Sequence, residues 1–338
     1  MSEQVQISIE GRMGVIALNR PEAINALNLE MIEAIRATLT LWAEDGAIKA
    51  VLFEGRGSKG FCAGGDVRAV RAAVLSNNHA GADAFFVSEY AMNGQIARYP
   101  KPVVAITHGV VMGGGLGIAG HARYRFTTPE ARFAMPEAAI GFFCDVGVNA
   151  ILSRSPVHRA LLFELSGVPV GAADALALGL TDCAILPERL AEVRRLIVGA
   201  ADSSNVDAAL TGIMEAESIQ AGERTFCDLA DRLEGALAQQ EVSDIAAAIE
   251  ESGLAAELLS VLRSRSPTSQ EAILRSHLAA RRAASIDDVL QMDLKLSHFL
   301  IRQPDFAEGV RAVLVDKDHK PKWHLQVAKQ EIASAIAV

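Results

Sequence analysis

Short apolar runs separated by helical patterns fill residues 1–200. VQISIE at Val5–Glu10 and GVIAL at Gly14–Leu18 flank Gly11 and predict a β-hairpin. Ala50–Glu54 and Val103–Thr107, built on the unbroken apolar runs Ala50–Phe53 and Val103–Ile106, read as buried strands. Between these runs, apolar residues recur at helical spacing over Leu29–Ala43, Asp83–Ala97 and Leu116–Ala122. Alternating strands and helices predict an α/β layer architecture. Beyond about Ala200 the pattern becomes helical throughout: residues 201–250 are rich in Ala, Glu, Asp and Leu, and Leu258–Leu300 continues in the same way, with Ser266-Pro267 as a helix start. No repeat, low-complexity tract or Gly/Ser linker intervenes. The expected organisation is a core over residues 1–200 with a helical region over 201–338 packed on it.

Composition narrows the possible functions. A chain of 338 residues is long enough to bury roughly 75% of its unfolded surface without a disulfide or metal staple. Half the residues are hydrophobic, yet no uninterrupted apolar run reaches membrane-spanning length, and the opening MSEQVQISIE has neither a basic n-region nor an apolar h-region. The expectation is a cytosolic protein without a membrane partner. The net charge of −9 disfavours nucleic acid, which demands a basic face. Cys62, Cys144, Cys183 and Cys227 show no CxxC spacing and the histidines no HxxxH or HExxH pattern, so no metal is assigned. Two windows run against the acidic balance: Arg56, Lys59, Arg68 and Arg71 face Asp66 alone, and Arg311, Lys317, Lys320 and Lys322 outnumber Asp316 and Asp318. Such windows suit a small polyphosphate ligand, against the plainer reading of ordinary solvated cations.

The chemistry concentrates between Met112 and Gly147. Gly113, Gly114 and Gly115 precede an apolar helical run, so the backbone can approach a ligand closely and present unpaired N–H groups and a positive dipole end to an anionic oxygen. Glu137 and Asp145 follow as paired acid/base candidates. Gly115, Gly117 and Gly120 also satisfy GxGxxG, with Glu137 at a distance suited to a ribose contact. A dinucleotide fingerprint, however, puts its first glycine at the turn leaving the strand, and Gly115 lies well past Thr107. Helix packing is the favoured role for Gly117 and Gly120.

Four segments in order, NRPEAINALN at 19–28, GSKGFCAGGDV at 57–67, VVAITHGVVMGGGLG at 103–117 and RFAMPEAAIGFFCDVG at 132–147, resemble the crotonase superfamily of acyl-CoA enzymes. The resemblance implies a spiral of ββα units followed by a helical C-terminal region. It also implies an oxyanion hole formed by the backbone N–H groups of Cys62 and Gly114, each donor worth roughly 3 to 4 kcal/mol. Hydratases of the superfamily use a glutamate just after the glycine triplet and another aligned with the MPE segment; the first of these positions is Gly117 here. Dienoyl-CoA isomerases also want an acid there. Losing one proton-transfer group costs on the order of 10² to 10⁴ in rate.

Gly117, Glu137 and Asp145 together, with Glu89-Tyr90 in FFVSEYAMN, SPTS at 266–269 and DFAEGVRAVLVDKDHKPKW at 305–323, resemble the 3-hydroxyisobutyryl-CoA hydrolase branch. That resemblance implies thioester hydrolysis, a step of valine degradation, with coenzyme A as part of the substrate and no separate cofactor. Glu137 would attack the carbonyl or activate water, Asp145 would orient the water or the substrate hydroxyl, and Glu89 would hydrogen-bond the 3-hydroxyl or Asp145. Arg56, Lys59 and Lys317 are the candidates for the CoA phosphates. The branch usually has proline where Cys144 stands and glycines where Val148-Asn149-Ala150 follow, which bears on acyl size. A buried, inert Cys144 is expected. Simpler roles exist for each acid: Glu137 as a helix-start carboxylate beside Pro136, Asp145 as a turn residue before Val146-Gly147, Glu89 facing solvent from its helix. Two other functions compete, an enoyl-CoA hydratase or isomerase using Glu137 alone or with Asp145, and a non-catalytic acyl-CoA-binding protein. Either a trimer, common in the superfamily, or a monomer fits a chain with so long a helical region.

Overall fold

A computed structural model describes residues 3–325, 327 and 329–337. Its strands, in chain order, are β1 (Val5–Glu10), β2 (Met13–Leu18), β3 (Ala50–Gly55), β4 (Gly60–Cys62), β5 (Val103–Thr107), β6 (Val110–Met112), β7 (Tyr124–Thr127), β8 (Arg132–Ala134) and β9 (Cys183–Ala184). β1 and β2 form the expected hairpin, with Glu10 opposite Met13 and Gly11 at φ +60 in the turn. β2, β3, β5, β7 and β9 then continue the sheet in parallel, in the order β1-β2-β3-β5-β7-β9. A second sheet runs β4-β6-β8.

The two sheets interlock through a repeat. β3, β5 and β7 each add a strand to the large sheet, the chain then adds β4, β6 or β8 to the small one, and a helical element follows: Val67–Leu75, Gly114–Ala119 and the 3-10 turn Glu137–Ile140. This is a spiral of ββα units. Its short strands place Cys62 at the end of β4, Gly114 just after β6 and Glu137 just after β8, at corresponding points of successive turns.

The chain divides into two compact units that interleave in sequence. The first comprises Met1–Gly65, Ala91–Phe133 and Val170–Glu223, the second Asp66–Tyr90, Ala134–Pro169 and Arg224–Val338. In the first unit, Val15, Leu52, Val104, Ile106 and Phe126 of the parallel strands pack with Val193, Ile197 and Leu210 of the helices Leu190–Ala200 and Val206–Glu217. Val103–Thr107 is buried throughout and Ala50–Gly55 up to its last residue, as a parallel sheet covered by helices requires.

The second unit is helical. Its helix Pro267–Ala280 begins at Ser266, whose hydroxyl accepts the N–H of Ser269 at 3.1 Å, with Pro267 in the first turn where a missing N–H costs nothing. Ser285 and Asp288 form a capping box on Ile286–Leu300. Beyond residue 200 the described residues contain helices and no strand. The glycine helix departs from expectation. The predicted Leu116–Ala122 is observed as Gly114–Ala119, because Gly113, at φ 48 and ψ −121, ends the strand conformation early and lets the helix begin on the glycines themselves.

Candidate active site

In the first unit, β4 and the glycine helix meet at a distance only glycine allows. A Cβ at residue 115 would lie 2.6 Å from the Cys62 carbonyl oxygen and 2.8 Å from the Cys62 Cβ. The N–H groups of Leu116 and Gly117 both donate to Gly113 O, at 2.8 and 3.1 Å. Gly114 is the first helical residue, where an N–H has no intrahelical acceptor. Cys62 and Gly114 are thus brought together by the close backbone approach that Gly115 permits.

A residue that sequence reasoning passed over braces this arrangement. Asn25, fully buried at φ 55, donates from Nδ2 to the carbonyls of Arg56, Gly60 and Phe61 at 3.0, 3.3 and 3.0 Å, and accepts the Arg20 N–H at 2.8 Å. The Cys62 thiol donates to Asn25 O at 3.2 Å. Asparagine is among the few residues that tolerate positive φ, so NRPEAINALN is a brace for the Phe61–Cys62 backbone. The only sequence signal was the matching segment itself.

The second unit gathers the acids. Glu89 and Tyr90 lie in the helix His79–Ala97, which starts one turn earlier than its apolar spacing suggests. Glu137 opens its 3-10 turn after Pro136, and Asp145 sits in the loop before the helix Val148–Leu152. Their exposures are 2% for Glu89, 8% for Glu137 and 5% for Asp145. Glu89 therefore does not face solvent. Glu137 does start a helical turn, but as a buried group, and Asp145 accepts the Tyr90 hydroxyl at 2.7 Å through Oδ2. Glu89 Oε1 and Glu137 Oε2 are buried without a hydrogen-bond partner among the described residues.

Burial, followed by the charge of Asp145, pushes both Glu89 and Glu137 well above the ordinary carboxylate range. Asp145 is itself pushed up to about 7 by burial, against the Tyr90 hydroxyl and its own backbone N–H, which favour the ionised form. Three carboxyls in mutual electrostatic reach cannot all ionise near neutrality. The cluster therefore offers a base and a stored proton together.

The loop bearing Asp145 is held from several sides. Val146 and Gly147 both have positive φ, 55 and 70, and the Gly147 N–H donates to Asp293 Oδ2 at 2.8 Å. A β-branched residue in this region is a true outlier, of the kind found where a loop is over-determined by its surroundings. Asn149 Nδ2 donates to Cys144 O at 3.4 Å, and His277 Nδ1 lies 3.1 Å from Asn149 Oδ1 and 2.8 Å from Glu164 Oε2. Asn149, one of the departures from the glycine-rich pattern, is thus used to fix the carbonyl next to Asp145. Burial, then Glu164, raises the Cys144 thiol well above its usual range, so its thiolate is disfavoured. Asp293, Glu164 and His277 lie far along the chain from Asp145, and no local pattern marked them.

The phosphate candidates stay apart from the acids in character. Arg56, 44% exposed in its side chain, pairs with Glu54 at 3.0 Å, and Lys59 is exposed on the same loop of the first unit. Lys317 is exposed in the second unit, at φ 56. Arg311 is bound by Glu308, Asp316 and Asp318 at 2.6 to 2.8 Å, which leaves the positive excess of that window to its lysines. Among the described residues no helix is long and apolar enough to cross a membrane.

Residues 13–336 match the family model described as enoyl-CoA hydratase/isomerase. The mitochondrial 3-hydroxyisobutyryl-CoA hydrolase of Xenopus tropicalis is 36% identical over 326 residues, covering 95% of this chain and 84% of the relative. The human protein of that name is 34% identical over 328 residues, with the same two coverages of 95% and 84%. Both names place those relatives in mitochondria and lend no support to the cytosolic expectation. A crystal structure of a carnitinyl-CoA dehydratase from Mycobacterium thermoresistibile superposes with a TM-score of 0.91 at 34% identity, covering 100% of this chain and 97% of that one. Spiral, glycine helix and sequence matches agree: the chain belongs to the enoyl-CoA hydratase/isomerase family and has the crotonase fold.

Proposed function

We propose that this chain hydrolyses 3-hydroxyisobutyryl-CoA, or a close 3-hydroxyacyl-CoA, to the free acid and coenzyme A. The observation that carries the reading is the cluster of Glu89, Glu137 and Asp145, buried and with two unpartnered carboxyl oxygens, in a chain that has no side chain at Gly117. The hydrolase names of the relatives support the same choice.

In this proposal the N–H groups of Cys62 and Gly114 donate hydrogen bonds to the thioester oxygen and stabilise the negative charge that develops there. Glu137 takes a proton from an attacking water, or adds to the carbonyl carbon itself to form an anhydride that water then opens. In either route the tetrahedral intermediate collapses with cleavage of the C–S bond, and the leaving thiolate takes a proton held by the acid cluster. Asp145 orients the water or the 3-hydroxyl. Glu89, with its unpartnered oxygen, accepts the hydrogen bond of that hydroxyl, and an acyl group lacking it leaves the acceptor unpaired at a cost of about 1 to 3 kcal/mol. Lys59, Arg56 and Lys317 are the proposed contacts of the CoA phosphates.

A second reading, hydration of an enoyl-CoA or the reverse loss of water from a 3-hydroxyacyl-CoA, draws on the dehydratase name of the structural relative and on the surplus of acids in the cluster. One assay separates the two. Free thiol appears from 3-hydroxyisobutyryl-CoA and is abolished by Glu137→Gln if the first reading holds; loss of crotonyl-CoA enoyl absorbance without thiol release favours the second. Binding of both substrates with turnover of neither would leave a non-catalytic acyl-CoA-binding protein. Single turnover in ¹⁸O-water then distinguishes nucleophile from base, since only the anhydride route can leave label in the Glu137 carboxyl.

A further inference from the structure

The segments SPTS at 266–269 and DFAEGVRAVLVDKDHKPKW at 305–323 supply no residue to the chemistry above except Lys317, yet both lie against the turn that carries Glu137. The Ser266 N–H donates to Ala138 O at 3.2 Å. The Ser266 hydroxyl donates to Asp305 Oδ2 at 2.5 Å, and Asp305 Oδ1 accepts the His324 N–H at 2.7 Å. Two glycines close the contact: a Cβ on Gly141 would lie 2.1 Å from Asp305 O, and one on Gly309 would lie 2.4 Å from the Ile140 carbonyl carbon. The helix Pro304–Val310 and the turn Glu137–Ile140 are therefore packed backbone to backbone.

This packing matters because the Glu137 carboxyl has little else to aim it. Among the described residues its Oε2 is buried without a partner, and the hydrogen bond that favours its ionised form comes from its own backbone N–H. A side chain without external bonds takes its direction from the backbone beneath it.

We propose that Ser266, Asp305 and Gly309 are positioning residues for Glu137, clamping the turn from behind so that the backbone, rather than side-chain bonds, sets the direction of the carboxyl. Ser266, Asp305 and Gly309 are in this sense part of the acid machinery without touching substrate. The clamp rests on the role of Glu137 proposed above. Misplacing a reacting group by about 1 Å costs on the order of 10²-fold in rate, and a Cβ on residue 309 forces a displacement of that kind.

The test compares wild type, Gly309→Ala, Ser266→Ala and Ser266→Thr in thiol release from 3-hydroxyisobutyryl-CoA across pH. Gly309→Ala should lower kcat by about 10²-fold with KM within about threefold, and should move the inflection of the wild-type rate profile with pH. Ser266→Ala should lower kcat by about tenfold, with recovery in Ser266→Thr, which keeps the hydroxyl. Wild-type kcat and pH profile in folded Gly309→Ala would overturn the clamp. If that variant does not fold, the serine pair decides: equal kcat in Ser266→Ala and wild type, or no recovery in Ser266→Thr, overturns it. A wild-type protein that releases no thiol sinks the proposed function instead. The clamp is then read from the infrared carboxyl band that Glu137→Gln removes, which must shift in Ser266→Ala; an unmoved band overturns it.

Discussion

Tyr90 donates its hydroxyl to Asp145 Oδ2 across 2.7 Å, between two side chains that are both almost wholly buried. That bond favours the ionised carboxylate, while burial pulls the other way and leaves Asp145 titrating at about 7. The balance puts an acid and its conjugate base in comparable amounts at physiological pH, the condition in which proton transfer is most efficient.

Removing the hydroxyl should tip the balance. In Tyr90→Phe the lowering influence disappears and burial acts unopposed by that bond, so the inflection that Asp145 contributes to the rate profile moves to higher pH. Initial rates of thiol release from pH 5.5 to 9 measure it. An inflection that stays in place, or falls, contradicts the assigned electrostatics.

The same acids should cost stability. Glu89, Glu137, Asp145 and Asp293 all have folded pKa values raised above their unfolded ones, so the folded state binds more protons across the interval. Their contribution is fully favourable below the unfolded values near 4 and is lost as pH rises through the folded ones, which for Asp145 means through about 7. Tm should decline between pH 5 and 8. Asp145→Asn, which cannot ionise, should be more stable than wild type at pH 8, by on the order of 1 to 4 kcal/mol, while losing activity. Calorimetry at the two pH values checks the sign.

Gly115→Ala tests the close approach of β4 and the glycine helix. Its Cβ would meet the Cys62 carbonyl at 2.6 Å, so Cys62 and Gly114 must separate. The expected loss is about 10² to 10³ in kcat, with destabilisation of about 1 to 3 kcal/mol. Kinetics and urea unfolding report the two effects independently, and a variant with wild-type kcat would remove the basis for pairing those two residues.

Asn25→Ala addresses the brace. It strips a shared amide from the carbonyls of Arg56, Gly60 and Phe61. Buried acceptors left unpaired cost about 1 to 3 kcal/mol each, so destabilisation of at least about 2 kcal/mol is expected in urea unfolding, along with a fall in kcat as the Phe61–Cys62 backbone loosens.

What could be read from the sequence depended on the range of the interaction. The strands expected at Ala50–Glu54 and Val103–Thr107 were legible because a strand buried on both faces carries an unbroken apolar run, here Ala50–Phe53 and Val103–Ile106. β4, β6 and β8 were not, because three residues carry no periodicity and exist as strands only through pairing. Glu137 and Asp145 stood out as paired carboxylates behind the glycine triplet, Glu89 was found through resemblance, and the second unit gathers all three. Asp293 escaped because its use depends on the N–H of Gly147, 146 positions earlier in the chain. Asn25 escaped because its partners are main-chain carbonyls at Arg56, Gly60 and Phe61, and a carbonyl has no signature in sequence.

The interleaving of the two units along the chain has a consequence for how the protein is made. The turn of Glu137 and the loop of Asp145 belong with residues from Arg224 onward, and Gly309, which backs the turn, is translated 164 residues after Asp145. At ordinary elongation speeds that is a wait of roughly 10 to 30 s during which the acids hang from the ribosome without their support. A nascent chain in that interval holds the glycine triplet and both acids but lacks Gly309 and the helix Pro304–Val310, so the turn of Glu137 acquires its packing only near the end of synthesis.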